Sequence, residues 1–525
     1  MTLNAWWRET VFYQVYLPSF KDGNGDGLGD FYGLIDKLDY LQSLGVKGIW
    51  VTPFYPSPLV DNGYDVSDYC AVASCFGTLD IFSQFIRKAH QRGIKVVIDV
   101  VLNHVSSEHP WFQDALNNPE SRYRDFFIFS RQPNNWHSFF GGSAWTPEAD
   151  GEHYYYHKFA PQQVDLNWAN PAVMTEAKAV LDFWLEQGVD GFRFDVINFF
   201  TCAPMPGQDN PTGEDGEQQH IFDINQPGLE QKLSELLAHV RRHGEIFIIG
   251  EVGSQHLEEL TRFQTPSLCD VVFNFNLGSL PSFDLEAIFT QLVQMDKLQS
   301  AEPTLFFSSH DMPRMMSRLA AGNSARARAL TCLQLTGRGV PFIYAGEEIG
   351  MTDYIAESQK DIHDIQGINH YHLKLSECGD EVRAFEYALT KSRDNARSPL
   401  QWSGTSYADF STVTPWMPVN SNYPQTNIAA AQADLDSLWY AYQTLISLRN
   451  SYPVFQYGAY ESLNLEDDVL IFCRRHQGFR ATVIINFGNN VQERALPEGK
   501  LIYDTRQQNT YLPNDITICL EEVHD

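Results

Sequence analysis

The chain carries little positive charge for its size: 37 Lys and Arg stand against 66 Asp and Glu, a formal charge of −29. Such a surface repels phosphates, which argues against nucleic acid or an anionic membrane as a partner. Eight cysteines occur, at 70, 75, 202, 269, 332, 378, 473 and 519, yet none form a CxxC pair or a Cys/His cluster of zinc spacing. Cys269 and Cys332 lie in apolar runs and read as small buried hydrophobes. No apolar run reaches membrane-spanning length. The opening "MTLNAWWRET" has no basic region leading into an apolar stretch, so no signal peptide is expected. Internal repeats and low-complexity tracts are also missing. These absences leave a soluble, reduced, cytoplasmic protein as the expectation.

What is present is ordinary globular material, 43% hydrophobic and 13% aromatic, in a chain long enough for more than one domain. Short β-rich apolar runs fall at 11–17, 48–53, 95–102, 191–197, 246–252, 271–275, 304–311 and 340–349. Amphipathic helical stretches such as "LDIFSQFIRKAHQRG" and "AVMTEAKAVLDFWLEQG" separate them, several ending in the glycine that stops a helix. Eight strand–helix units predict an α/β protein, a (β/α)8 barrel, with "LDSLWYAYQTLISLRN" as its eighth helix. Two gaps are too long to be loops. The barrel is therefore expected over 1–102 and 173–455, interrupted by an inserted domain at 103–172 and a second insertion at 351–432. Alternating segments after "RNSYPVF" predict a C-terminal antiparallel β-sandwich domain over 456–525.

Function in such barrels collects at the C-terminal ends of the strands. There the third strand presents Asp99, Asn103 and His104, and the fourth presents Arg193 and Asp195, two apart and so on one face. The fifth ends on Glu251, and the seventh on His310 and Asp311. A lone acid at a strand end usually caps a helix, but four acids, two histidines and an arginine on one rim suit another chemistry. Cleaving a glycosidic bond needs one carboxylic acid to protonate the leaving oxygen. A second carboxylate must attack the anomeric carbon or activate water. Arg193 should keep Asp195 ionised, and burial after "IFIIG" should raise Glu251 into the range of an acid. Spacing alone does not assign the three roles.

"DVVLNH", "GFRFDVINF", "GEVG" and "SSHD", in this order, resemble the four signature regions of the α-amylase superfamily of glycoside hydrolases. The resemblance runs from "WWRETVFYQVYLPSF" through "NGYDVSDY" to "RDNARSPLQW", and is closest to the oligo-1,6-glucosidase, dextran glucosidase and α-glucosidase group. It implies a retaining, exo-acting α-glucosidase with Asp195 as nucleophile, Glu251 as acid/base and Asp311 as transition-state stabiliser. Substrate contacts implied in the same way are Asp61, Tyr64, His104, Phe140, Arg193, His310 and Arg397. An Asp61–Arg397 pair would close the pocket. The resemblance also explains "KDGNGDGLGD". Taken alone this stretch matches half of an EF-hand loop, but Gly33 stands where the bidentate glutamate belongs. The resemblance makes it a structural Ca²⁺ site, with Asp22, Asn24, Asp26, the Leu28 carbonyl and Asp30 as ligands and Mg²⁺ as the alternative ion. Otherwise it is a glycine-rich surface turn.

Val196, beside Asp195, leans the expected linkage towards α-1,6 through the resemblance, in which valine at this position accompanies α-1,6 specialists; a β-branched side chain would narrow the space where the aglycone turns. The segment "FDINQP" pulls the other way, resembling α-1,4-type relatives, and Ser309 in "SSHD" departs from the asparagine usual there. Trehalose-6-phosphate hydrolases share the valine but need cations for the phosphate, which the acidic balance disfavours. A transglycosylating enzyme and a non-enzymatic glucosidase-like protein are the remaining alternatives. The expected partner is a small oligosaccharide.

Overall fold

The computed structural model describes residues 5–205, 207–214, 216–254, 256–298, 301–506 and 510–523. Eight parallel strands form one sheet: β1 (Phe12–Val15), β2 (Gly48–Val51), β3 (Lys95–Val100), β4 (Gly191–Phe194), β5 (Phe247–Gly250), β6 (Val271–Val272), β7 (Thr304–Leu305) and β8 (Val340–Tyr344). Their order is β6-β5-β4-β3-β2-β1-β8-β7, so the barrel expected from the strand–helix alternation is what the chain forms. Nearly every strand residue is buried, as a parallel sheet covered on both faces requires.

Alternation along each strand divides the core in two. Tyr13, Ile49, Ile98 and Ile248 point outward into the large helix-covered core. Phe12, Trp50, Val97, Phe247, Ile249 and Phe342 point inward and fill the barrel. Gly191 sits between Val97 and Phe247 in register, and a Cβ there would lie 2.6 Å from the Phe247 carbonyl oxygen. One layer higher, Asp99 stands beside Arg193 in register. The interior thus changes from apolar to charged over two residues, at the C-terminal end of the barrel.

Only seven of the eight strand neighbours are joined by backbone ladders; β6 and β7 are not. A side chain spans the gap instead. The Thr304 hydroxyl donates to the Val272 carbonyl at 3.2 Å and accepts from the Asn274 amide at 2.9 Å.

Between β3 and the helix α1 (Pro171–Glu186), the chain forms a short helix, a three-stranded sheet and the ladder of His104–Ser106 with Gln163–Asp165. Trp136, Trp145 and Tyr156 give this part its own small core. The helix α2 (Leu229–Val240) leads into β5. Between β8 and the last barrel helix, a second excursion carries the paired helices α3 (Ile365–Cys378) and α4 (Glu381–Lys391). The C-terminal strands β9 (Ala459–Glu466), β10 (Val469–His476), β11 (Phe479–Asn486), β12 (Lys500–Asp504) and β13 (Ile516–Glu522) form one antiparallel sheet, ordered β9-β10-β11-β13-β12. The expected sandwich is therefore corrected to a single sheet among the described residues. Its inner face needs no second sheet, because Phe472, Val483 and Ile518 join the barrel's own core. Arg474, buried in that sheet, donates to the carbonyls of Thr336, Gly337, Phe455 and Gly458. Among the described residues, no helix is long and apolar enough to cross a membrane.

Candidate active site

Backbone bonds just past the strand ends set the first two carboxylates side by side. Asp195 N donates to Val100 O at 3.1 Å, Glu251 N to Phe194 O at 3.0 Å, and Ile197 N to Glu251 O at 3.0 Å. Asp195 and Glu251 lie close enough for each to act on the other's titration. Beneath them, Arg193 Nη1 donates to Asp195 at 2.5 Å and to Asp99 at 2.7 Å, while Nη2 donates to Glu251. Three carboxylates therefore share one guanidinium. Burial pushes up Asp195, and the charge of Arg193 only partly opposes it. Burial also pushes up Glu251, with the neighbouring Asp195 and Asp311 adding to the rise. Arg193 was expected to keep Asp195 ionised and to touch substrate. Instead it is divided among three acids and sealed below the cavity.

Asp311 differs. Burial alone would raise it, but His310 and the guanidinium groups of Arg397, Arg393 and Arg193 hold it below the usual carboxylate range. Burial depresses His310 itself to about 3, so near neutral pH its ring is uncharged and the arginines supply the positive field. Arg397 Nη2 lies 3.0 Å and Arg393 Nη1 3.6 Å from Asp311 Oδ1.

Over these groups lies a cavity of about 380 Å³, lined by Asp61, Tyr64, His104, Phe140, Gln163, Asp195, Val196, Glu251, Asp311, Gln366 and Arg393. Phe139, Phe159, Phe199 and Phe275 add an aromatic wall, and Phe139 is 57% exposed. The site residues Asp195, Glu251, Asp311, Asp61, Tyr64, His104 and Phe140 thus come together as the sequence predicted; Arg193, His310 and Arg397 do not reach the cavity lining. His310 is fully engaged by protein: Gln14 Nε2 lies 2.7 Å from Nδ1, and Tyr64 Oη and Asp311 Oδ2 lie 2.6 and 3.2 Å from Nε2. With the Gln14 amide donating to Nδ1, the proton belongs on Nε2. His104 Nε2 lies 3.1 Å from the Tyr64 carbonyl, and burial lowers its pKa to about 4. Tyr64 donates to Asp99 at 3.0 Å, which fixes its ring in the cavity floor.

The expected Asp61–Arg397 pair is replaced by another. Asp61 accepts from Arg393 Nη2 at 2.6 Å. The two arginines flank one short helical turn, Asp394–Arg397, and so point to different depths. Arg397 lies lower, donating to the His310 carbonyl at 2.8 Å with its guanidinium 5.4 Å from the centre of the Tyr16 ring. Arg393 reaches the cavity, 5.1 Å from the centre of the Phe140 ring. Sequence reasoning missed Arg393, although "KSRDNARSPLQW" shows both arginines. It also missed Asp364, a buried acid that receives Arg393 Nη2 at 2.5 Å and its backbone amide at 2.8 Å. Gln163, which donates to Asp61 at 3.0 Å, carried no motif signal at all.

The loop 22–30 lies away from this cavity. Asp22 accepts from the amides of Gly25 and Gly27 at 2.6 and 2.9 Å and from the Ser411 hydroxyl at 2.6 Å. Asp30 caps the next helix through Gly33 N at 2.7 Å, and Asp26 accepts from Leu28 N at 2.9 Å. The available donors are all oxygens, which suits a hard cation such as Ca²⁺ or Mg²⁺. Asp22, Asn24, Asp26, the Leu28 carbonyl and Asp30 would hold it.

A barrel with paired carboxylates beside a third, ionised one at its C-terminal rim has the equipment of a glycoside hydrolase. The Alpha-amylase family, described as the alpha amylase catalytic domain, matches residues 14–458, and the chain belongs to that family. The oligo-1,6-glucosidase of Parageobacillus thermoglucosidasius is 38% identical over 96% of this chain and 94% of its own length. The trehalose-6-phosphate hydrolase of Escherichia coli (strain K12) is 38% identical over 93% and 92%. Among solved structures, the trehalulose synthase of Pseudomonas mesoacidophila MX-45 superposes with a TM-score of 0.92 at 33% identity, covering 98% of this chain and 99% of that one.

Proposed function

We propose that the protein is a retaining α-glucosidase that releases glucose from the non-reducing ends of short α-glucosides, with a preference for α-1,6 links. The observation that carries this reading is the Asp195–Glu251 pair, both members bound by one guanidinium beneath the cavity. Two carboxyls gripped by one guanidinium suit the short separation of a retaining enzyme better than the wider one that inversion needs for its water. Asp195 attacks the anomeric carbon while Glu251 protonates the departing oxygen, giving a covalent glycosyl-enzyme. Glu251, now a carboxylate, takes a proton from the incoming water, which displaces Asp195 and leaves the anomeric configuration retained. Asp311, kept anionic by its arginines, faces the positive charge that develops on the sugar ring.

Chain-end action is supported by the Asp61–Arg393 bridge, which joins the loop after β2 to the 351–432 segment across the cavity and bars a polymer from threading. A phosphorylated disaccharide fits less well. Arg393 is the one cation among the residues described as lining the cavity, and Asp61 and Asp364 already share it. Names borne by relatives, oligo-1,6-glucosidase and alpha-glucosidase, agree with the reading. A second reading, transfer to sugar acceptors, has one observation behind it: the four phenylalanines at the mouth would stack a second sugar where water must otherwise enter.

The test is initial rates on isomaltose, maltose and trehalose 6-phosphate, with Asp195→Asn as the blank and product anomers followed by NMR. Isomaltose is expected to lead and α-glucose to form first. Maltose leading would overturn the linkage, and a first-formed β-anomer would overturn the mechanism.

We also infer a structural calcium ion in the 22–30 loop and a cytoplasmic setting. The latter is supported by eight cysteines that are all free thiols.

A further inference from the structure

Away from the cavity, on the outer layer of the barrel, three metal-ligating side chains converge. Asp182 belongs to α1, His239 to α2, and His243 to the turn that follows α2. His239 Nε2 lies 2.7 Å and His243 Nε2 3.0 Å from the same oxygen, Asp182 Oδ1. All three donor atoms lie within 4.8 Å of one another. The side chains are 21%, 38% and 37% exposed for His239, His243 and Asp182, open enough for an ion to enter and for water to complete its shell. His239 in the last turn of α2 and His243 in the 3-10 turn that continues it both reach the same oxygen on the neighbouring helix.

We propose that Asp182, His239 and His243 form a binding site for a late first-row divalent cation, with Zn²⁺ as the reference ligand. Two imidazoles and one carboxylate select zinc, cobalt, nickel or copper over calcium and magnesium, which take oxygen. Three protein donors complete a tetrahedron with one water. The competing arrangement is a plain ion bridge, with protonated histidines sharing Asp182. A rung of that kind exists one turn earlier, where Lys178 meets Glu235 at 2.7 Å. A second lysine would have served such a bridge; two imidazoles and a carboxylate with all donor atoms within 4.8 Å of one another can instead turn their lone pairs onto a common ion. The site also has a mechanical consequence. α1 runs into β4 and α2 into β5, the strands that end at Asp195 and Glu251. An ion between the helices staples the two units that carry those residues.

The experiment uses the full chain, treated with chelator and returned to calcium-containing buffer, so that the 22–30 loop is occupied throughout. Zinc is titrated at pH 7.5 by calorimetry and by thermal melting. One equivalent should bind, and the melting midpoint should rise by about 2 °C at a hundredfold excess over Kd. Binding should fall at least tenfold in His243→Ala and in Asp182→Asn, and be unchanged in His153→Ala, which alters the other Glu/Asp/His cluster. Should His243→Ala fold poorly, Asp182→Asn keeps the shape and still removes the anionic donor. No saturable binding would overturn the proposal. So would zinc binding that survives in Asp182→Asn and His243→Ala, or that disappears in His153→Ala.

Discussion

Val196 holds a left-handed backbone, φ 38° and ψ 49°, while its amide nitrogen lies 3.3 Å from Oε2 of Glu251, to which it donates. A β-branched residue in that region is strained by about 1–3 kcal/mol. The strain is held in place by Ile197 N on the Glu251 carbonyl and by the 3-10 turn that begins there. The turn presents the isopropyl group to the cavity. Val196→Ala should lower the ratio of kcat/KM on isomaltose to that on maltose by about tenfold, the scale set by small apolar groups in a pocket. Val196→Gly should change the ratio in the same sense and melt no lower than the parent. An unchanged ratio in both would show that linkage is read elsewhere.

Arg393 and Arg397 should give distinguishable defects. Removing Arg393 leaves Asp61 buried without its partner, a situation that costs about 3–5 kcal/mol. Arg393→Ala should therefore raise KM by at least about a hundredfold with a smaller change in kcat. Arg397 touches Asp311 rather than Asp61. Arg397→Lys should lower kcat more than it raises KM, because the field on Asp311 weakens. Equal KM defects in the two variants would contradict this division.

The pH profile follows from the two raised carboxyls. Activity needs Asp195 ionised and Glu251 protonated. Falling pH therefore removes the nucleophile and rising pH removes the acid. Because Asp195 and Glu251 interact strongly, the limbs of kcat/KM belong to the pair. Both should lie above the ordinary carboxylate values of about 4. Glu251→Gln, assayed with a leaving group that needs no proton, should lose the alkaline limb. A wild-type alkaline limb near an ordinary glutamate value would contradict the burial argument.

Calcium removal should cost stability and leave the chemistry alone. If the 22–30 loop binds Ca²⁺, saturation at a hundredfold excess over Kd contributes about 2.7 kcal/mol. Chelation should lower the melting midpoint, calcium should restore it, and Asp26→Asn should blunt the response. The turnover of protein that stays folded should be unchanged. A melting curve indifferent to chelator would return the loop to a glycine-rich turn.

The barrel was legible because each strand is a buried apolar run bounded by a helix, and burial on both faces leaves that mark in sequence. Asp195, Glu251 and Asp311 were legible because each lies at or just beyond a strand's C-terminal end. Asp364 and Gln163 were not, since both come from long excursions where no period relates a residue to the rim. The exchange of Arg397 for Arg393 has a similar origin. Spacing shows that two arginines flank one turn, but not which of them the fold turns upward. Arg193 was placed correctly along its strand yet lies under the floor, and His310, expected within a strand over 304–311, lies past the end of β7 at Leu305; spacing alone shows neither.

The missing ladder between β6 and β7 bears on the carboxylates themselves. Glu251 and Asp311 belong to strands on opposite sides of that break. The backbone ladders between them run the long way round the ring, and the short route crosses side chains: the Thr304 hydroxyl, the Gln264 amide on the Asp270 and Glu302 carbonyls, and the Phe273–Phe306 ring pair. The position of Asp311 relative to the other two acids is thus set by side-chain packing and by its own ion pairs with Arg393 and Arg397, not by a continuous backbone ladder.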